Sequence, residues 1–482
     1  MNQPGNTEPL ASIVSRVWHS PTLMTWGNLG TRLLGFLVLL PLALGRLTVE
    51  EANLWFLFQA LLALQRMADF GFTPTFVRIV SYARAGEITA ETGLVVPGSL
   101  KASETSMRRV IRTMRKIYNR LSLIAFVLVA VGGSLAVIKP ISQLDTMEVG
   151  WLAWATVAVS GVLIFRWGVF GVYLQGAEQI ALHQRWQIVT GMLSIIAAIA
   201  VLYFGGGLFL LVAAMQAGSI AGVLVTRRLA IKYSPNDSWS EPPVADAEVM
   251  NAVWPAAWRS GLGITMTYGI IQGIGIGYAQ IASPAQSAAF LLAQRVVRTL
   301  NSFANAPFYT RLPHMSRLYA EGRRHELVES ARAGMLRANW VLVAGIVTLG
   351  FTADPLFVLV GSQTPFVTMD VWWLLGLATL VERIGAMHLQ LYSTTNNIVW
   401  HFVATVTGGL MLLVIPLSFH WFGVVGLPLG ILVAYAGFFT PYSLKHSYST
   451  FHLRFVHMDG LASMLPVTVV AAVLIVFMLI SA

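Results

Sequence analysis

Cysteine is absent from all 482 residues. That rules out disulfides, thiolate metal sites and cysteine nucleophiles, and it removes the usual clue to redox compartment. Charge is scarce too: 11% of residues are charged and 56% are hydrophobic, whereas a soluble domain carries about 25% charged residues. Acids are the scarcer sign, 21 against 31 Lys and Arg. No A-x-A-like cleavage site follows a short apolar core, and residues 1–22 are polar and mixed, so no cleaved signal peptide is expected. No metal-ligand pattern flanks His388 or His401, so neither metal nor cofactor is expected, and an interhelical hydrogen bond is the expected use of these histidines.

What remains is apolar sequence, with a mean hydropathy of +0.69. A helix needs about 20 mostly apolar residues to cross the hydrocarbon core. Spans are expected near 23–45, 53–82, 118–139, 149–175, 184–205 and 207–226, then near 253–280, 284–309, 332–352, 368–394, 398–418 and 421–443, with one more at 461–480. The fold class expected is all-α and polytopic.

The net charge of +10 could suit nucleic acid, but the basic residues cluster in loops on alternate sides of the apolar segments. That distribution is the positive-inside signature, and no nucleic-acid partner is expected. Segment 84–117 carries Arg84, Lys101, Arg108, Arg109, Arg112, Arg115 and Lys116, and segment 310–331 carries Arg311, Arg317, Arg323 and Arg324. Arg227, Arg228, Lys232, Lys445 and Arg454 fall on the same side. The other side has Arg46 and Lys139, offset by Glu50, Glu51, Asp145 and Glu148. The basic side is expected to be cytoplasmic, with the N-terminus on it. The basic stretches after the second and eighth spans are interspersed with apolar residues and could also lie on an anionic leaflet.

The stretch 227–252 is rich in Pro, Ser, Asp and Glu, the composition of a flexible joint. It separates two stretches that resemble each other. At a shift of 233, Leu29-Gly30 falls on Leu262-Gly263, and Pro74-x-x-x-Arg78 falls on Pro307-x-x-x-Arg311. After the longer basic loop of the first half the shift becomes 217, where Arg166-x-Gly168 meets Arg383-x-Gly385 and Val189-Thr190-Gly191 meets Val406-Thr407-Gly408. Six spans per half is even, so the repeat is parallel, with its pseudo-two-fold along the membrane normal. The expected organisation is a six-helix bundle at 1–226, a cytoplasmic linker at 227–252, a second six-helix bundle at 253–444, and an extra C-terminal helix within 445–482.

The run Ala68-Asp69-Phe70-Gly71-Phe72-Thr73-Pro74, continuing into Phe76-Val77-Arg78-Ile79-Val80-Ser81-Tyr82-Ala83, resembles the D-x-G element of bacterial polysaccharide-export flippases. These are the O-antigen and exopolysaccharide members of the multidrug/oligosaccharidyl-lipid/polysaccharide superfamily, which also contains MATE drug exporters and lipid II flippases. The resemblance covers residues of about 20 to 445. It implies a V-shaped pair of bundles, alternating access and an undecaprenyl-diphosphate-linked oligosaccharide as substrate, in the bacterial inner membrane. A polysaccharide polymerase and a chain-length regulator are the protein partners it brings into consideration, beside membrane lipids.

Arginine at a helix centre costs about 2.5–3.5 kcal/mol on insertion scales, so it tends to face a cavity or a partner. Arg32, Arg66, Arg166, Arg259, Arg295, Arg298 and Arg383 fall inside the spans and are the candidate substrate-cavity residues. Asp69 and Glu382 are the main intramembrane carboxylates, candidates for ion coupling or for charge balance alone. The excess is cationic, which suits a diphosphate or an acidic sugar, because the guanidinium fork grips phosphate oxygens. Arg32 and Asp69 share a level and could pair, Arg66 and Asp69 share a helix face, and Arg166 and Arg383 are repeat mates that could clamp a head group. End-of-helix snorkelling competes for Arg166, Arg259 and Arg383. Gln272 and Gln390 could meet sugar hydroxyls, although helix–helix contacts are the commoner use. Trp372 and Trp373 fit an interfacial belt.

Other classes remain on the table. A MATE-like cation-coupled exporter would share the topology, but a cationic drug calls for acidic or aromatic lining. A membrane glycosyltransferase or polymerase would need a large extramembrane loop or domain, but the outer loops here are short, and the cytoplasmic ones show no acid/base pair, metal cluster or phosphate-cradling glycine loop. A non-transporting scaffold or scramblase-like partner is the remaining class.

Overall fold

A computed structural model describes residues 18, 20–88, 95–97, 100–235, 238–395, 397 and 399–481. Helices occupy all thirteen positions read from the sequence. The first is α1 (Pro21–Leu34), which passes through a π-turn at Gly35–Leu39 into α2 (Leu40–Arg46). Its start is set by Ser20, whose hydroxyl accepts from the Leu23 N–H (3.3 Å), with Pro21 in the first turn, where its missing N–H costs nothing.

The second span is two helices rather than one continuous rod. α3 (Val49–Arg66) tightens into a 3-10 turn at Met67–Asp69, and α4 (Phe72–Ala85) restarts after Phe70 and Gly71. A short antiparallel hairpin follows, β1 (Gly86–Ile88) with β2 (Val95–Pro97). The third span starts earlier than hydropathy suggests: α5 (Leu100–Val127) runs through a π-turn at Leu128–Gly133 into α6 (Ser134–Ser142). Then come α7 (Met147–Gly176), α8 (Ile180–Tyr203), α9 (Leu208–Lys232) and α10 (Ala247–Ile264).

The later helices are α11 (Ile270–Ile281), α12 (Pro284–Ala304), α13 (Ala306–Tyr309), α14 (Leu312–Ala320), α15 (Arg324–Leu359), α16 (Met369–Ser393), α17 (Trp400–Phe422), α18 (Gly426–Ala434), α19 (Thr440–Phe451) and α20 (Leu465–Ser481). A π-turn at Val456–Met464 leads into α20, so the last helix begins before 461.

Several features recur in both halves. Thr48 and Ser283 open the second and eighth spans with reciprocal capping boxes to Glu51 and Gln286, each satisfying two N–H groups. Both spans break and restart with a proline in the first turn, Pro74 in α4 and Pro307 in α13. α10 and α11 are joined by a π-turn at Thr265–Gly269, the counterpart of the one at Gly35–Leu39.

Eight helical stretches among the described residues are long and apolar enough to cross a bilayer by length and composition. The second, seventh, eighth and tenth spans fall outside that set, diluted by the Gln, Asn, Arg, Asp and Glu residues described below. Many large apolar side chains of the other helices are exposed, among them Leu123, Leu128, Val131 and Leu135 on the third span. With no protein partner in the chain, such a surface faces lipid. The protein is a multi-pass integral membrane protein.

The chain divides into two compact units, Met1–Gly261 and Leu262–Ala482, with the division inside α10. The core of the first gathers Phe72, Phe76, Tyr118, Phe170 and Tyr173; that of the second gathers Phe308, Met315, Met335 and Met387. Residues 227–252, read from composition as a flexible joint, are helical to Lys232 and again from Ala247, and residues 238–246 between them pack onto the rest of the first unit. The Trp239 ring lies 4.5 Å from Phe170 and edge-on to Tyr173 at 5.6 Å. Arg109 forks onto Asp246 (2.8 and 2.9 Å) and also reaches Glu248, while Arg108 and Arg112 pair with Glu241 at 3.4 and 3.3 Å.

The two tryptophans expected in an interfacial belt are core residues. Trp372 and Trp373 are 0% and 1% exposed. Trp372 donates to the Ile346 carbonyl (3.1 Å), and Gly350 on α15 leaves the space both rings fill.

Candidate functional site

Asp69 stands at the break in the second span. Its carboxylate accepts from the Thr73 N–H (2.9 Å), the Thr73 hydroxyl (2.8 Å) and the Tyr118 hydroxyl (2.7 Å). The first of these bonds satisfies an N–H in the opening turn of α4, the service a helix cap provides. Phe70 and Gly71 then take left-handed backbone, φ +49° and +76°. A Cβ on Gly71 would lie 2.7 Å from the Ala257 carbonyl, and one on Gly261 would lie 2.5 Å from that of Phe70. Two glycines thus let the break press against α10, which accounts physically for the glycine of the D-x-G run.

Asp69 opens onto a cavity of about 530 Å³ in the first unit. Gln59, Gln65, Thr73, Tyr118, Gln216 and Ser219 supply its other polar lining, and Asp69 is the one charged residue among them. Arg32 does not pair with Asp69: it is exposed, and no ion pair joins the two among the described residues. The oxygens of Asp69 are already engaged by Thr73 and Tyr118. The side chain of Arg66 lies outside the described residues.

In the second unit the tenth and eighth spans converge. Arg383 is 6% exposed, and its Nε donates to Asn301 Oδ1 (2.8 Å). The amide of Asn301 donates in turn to Glu382 (3.4 Å). Glu382 and Arg383 are neighbours in sequence but do not pair with each other, because successive residues of a helix point about 100° apart; Asn301 bridges them. Arg298, one turn before Asn301, donates from Nη2 to Gln294 Oε1 (3.0 Å). Arg298, Asn301, Glu382, Arg383, Tyr268 and Tyr435 line a small cavity of about 100 Å³. Arg298 Nε and Gln294 Nε2 are buried donors with no acceptor among the described residues. Arg295 is partly buried on the same helix and is not among the lining residues.

The remaining candidates sit elsewhere. Arg259 is exposed on α10, over the Trp258 ring at 5.8 Å. Arg166 is exposed on α7 and donates from Nε to Asn119 Oδ1 (3.1 Å). Its repeat mate Arg383 also uses Nε on an asparagine, but from a buried position. Gln272 is buried, and Gln390 Oε1 has no partner among the described residues. His401 makes no side-chain hydrogen bond among them.

Sequence reasoning missed Asp459. It is fully buried before α20, where His388 Nε2 (3.1 Å), the Ser463 hydroxyl (2.5 Å) and the Tyr448 hydroxyl surround its carboxylate. His388 does make the interhelical bond expected of it. The available signal is a lone acid among apolar residues, and it falls between the expected spans 421–443 and 461–480.

No family model matches the chain, and no curated protein matches it by sequence. Solved structures do match. Lipid II flippase MurJ in an inward closed conformation aligns with TM-score 0.61 at 12% identity, over 94% of this chain and 98% of that one. The inward-facing conformation of a MATE-family multidrug resistance transporter of the MOP superfamily aligns with TM-score 0.63 at 10% identity, over 90% and 95%. The chain shares the fold of these two structures. A third structure is a MOP-superfamily transporter from Pyrococcus furiosus, described as having a binding pocket of reverse polarity that suggests a different function. It aligns with TM-score 0.56 at 12% identity, over 91% and 98%. At such identities the likeness concerns fold alone.

Proposed function

We propose that this protein is an alternating-access flippase that exports an undecaprenyl-diphosphate-linked oligosaccharide, an O-antigen or exopolysaccharide repeat unit, across the bacterial inner membrane, with the basic loops cytoplasmic. The observation that carries the reading is the cavity of the second unit. Arg298 Nε and Gln294 Nε2 there are buried donors with no acceptor among the described residues. Buried donors without acceptors are costly, and a phosphate or sugar oxygen would supply what they lack. The shared fold with a lipid II flippase supports a lipid-linked substrate, and none of the structural relatives described above is named as an enzyme.

The test is translocation of a fluorescent undecaprenyl-diphosphate oligosaccharide into inverted vesicles. Arg298→Gln and Arg383→Gln are each expected to slow it about 10- to 100-fold at matched protein levels, the loss of one charge-assisted bond of about 1.5–3 kcal/mol. Transport unaffected by either change would refute this site.

One observation favours a second reading. The first unit's cavity has Asp69 as its single charged lining residue, with Tyr118 and Phe165 beside it, a lining suited to a cation. Export of a cationic dye driven by a proton or sodium gradient, with no glycolipid movement, would establish the MATE-like reading instead.

A further inference from the structure

A third cavity, of about 340 Å³, lies in the first unit where α5, α7 and α9 meet the docked linker. Arg115, Arg166 and Arg227 line it, with Asn119, Trp239 and Ser240, and no carboxylate is among the lining residues. None of the three arginines forms an ion pair among the described residues. Arg115 and Arg166 are close enough to repel each other.

The contrast with the adjacent arginines is informative. Arg108, Arg109 and Arg112, one to two turns earlier on α5, take Glu241, Asp246 and Glu248, the acids of the linker among the described residues. The three cavity arginines are instead held by neutral groups. Arg115 donates to the Glu241 backbone carbonyl (2.6 Å) and Arg166 to Asn119, and the Arg227 guanidinium lies 6.0 Å from the centre of the Phe170 ring. These contacts orient the guanidiniums without neutralising them, and leave N–H groups for a ligand. Three cations gathered in one concave site call for a counter-charge that the described residues do not provide.

From this we infer that the cavity is a binding site for a phosphoryl anion, and that its occupant secures the linker to the first unit through Ser240 and Trp239. The volume suits a head-group-sized ligand, and planar guanidinium forks match phosphate oxygens. Arg227 lies five residues before the end of α9, about 7.5 Å along the axis, a depth at which both a phospholipid head group and a free phosphate compound could reach it. The site does not depend on the transport proposal, since its readout is binding.

The experiment uses full-length protein in two arms. In detergent, thermal stabilisation is followed against inorganic pyrophosphate. In nanodiscs of phosphatidylglycerol or of phosphatidylcholine alone, retained lipid is counted by native mass spectrometry after extraction. A response in the first arm identifies a soluble phosphate as a ligand; selective retention of phosphatidylglycerol identifies a lipid head group. Whichever arm responds, Arg115→Gln/Arg227→Gln is expected to weaken binding at least about tenfold, the equivalent of about 1.4 kcal/mol. Arg227→Lys, which keeps the charge and loses the fork, should fall between. If wild type responds in neither arm, or the double variant binds as wild type does, the site is refuted. Should the double variant fail to fold, Arg227→Lys and the wild-type arms still decide.

Discussion

Gly71 meets two demands that no other residue satisfies together: φ of +76° and a backbone carbonyl 2.7 Å from where a Cβ would stand. An L-residue there is strained, and the Ala257 carbonyl belongs to a packed helix that cannot swing aside. Gly71→Ala should therefore cost on the order of 2–4 kcal/mol, seen as a lower melting temperature of the purified protein. A control at Gly30, where a Cβ meets nothing within 4 Å, should change little. Equal melting of the two variants would contradict this account of the break. The D-x-G run was legible as a motif, and the break was half legible. Pro74 argues against an uninterrupted helix, but the hydropathy of 53–82 runs straight through it. The burial of Trp372 and Trp373 had no local signal, because it depends on the missing side chain of Gly350, more than twenty residues away on another helix.

At the scale of elements, the linker shows how composition alone misleads. Its Pro, Ser and acids read as a joint, yet each acid among its described residues meets an arginine of α5, and pairings across more than 120 residues leave no trace in composition. The Arg109 guanidinium, hydrogen-bonded to Asp246 and supported by backbone N–H groups of Val249 and Glu248, holds that carboxyl below the usual carboxylate range. A depressed pKa contributes stability that is present above the unfolded value of about 3.9 and is lost as pH falls through the folded value. Protection of residues 238–246 from limited proteolysis should therefore persist at neutral pH and fail only below about pH 4. Arg109→Gln should expose the linker at neutral pH without needing acid. A linker cleaved equally fast in wild type and variant at pH 7 would show that the ion pairs do not hold it. The capping boxes of the second and eighth spans are, by contrast, local: Thr48-x-x-Glu51 and Ser283-x-x-Gln286 stand ahead of apolar runs, a pattern that span limits drawn from hydropathy alone pass over.

At the scale of the molecule, the two units share a plan but not a charge. The helices and their order could be read from hydropathy because lipid imposes it on most of the spans. Charge placement could not, because which side chains meet depends on packing across helices. The first unit has a cavity centred on Asp69 beside its arginine-lined one, and the second unit centres its cavity on Arg298 and Arg383. If the flippase reading holds, the natural division of labour gives the anionic substrate to the second unit and a coupling cation to the first. Asp69→Asn separates these roles, because asparagine keeps an acceptor for Thr73 and Tyr118 while removing the charge. Glycolipid movement by Asp69→Asn should then lose its dependence on a proton or sodium gradient while binding of the glycolipid is retained. Tyr118→Phe, which deletes one hydrogen bond of about 1 kcal/mol and leaves the carboxylate ionisable, should keep the gradient dependence. Translocation measured with and without an imposed gradient distinguishes the cases. If gradient dependence survives in Asp69→Asn, Asp69 is a cap for α4 and nothing more, and the coupling group must lie elsewhere.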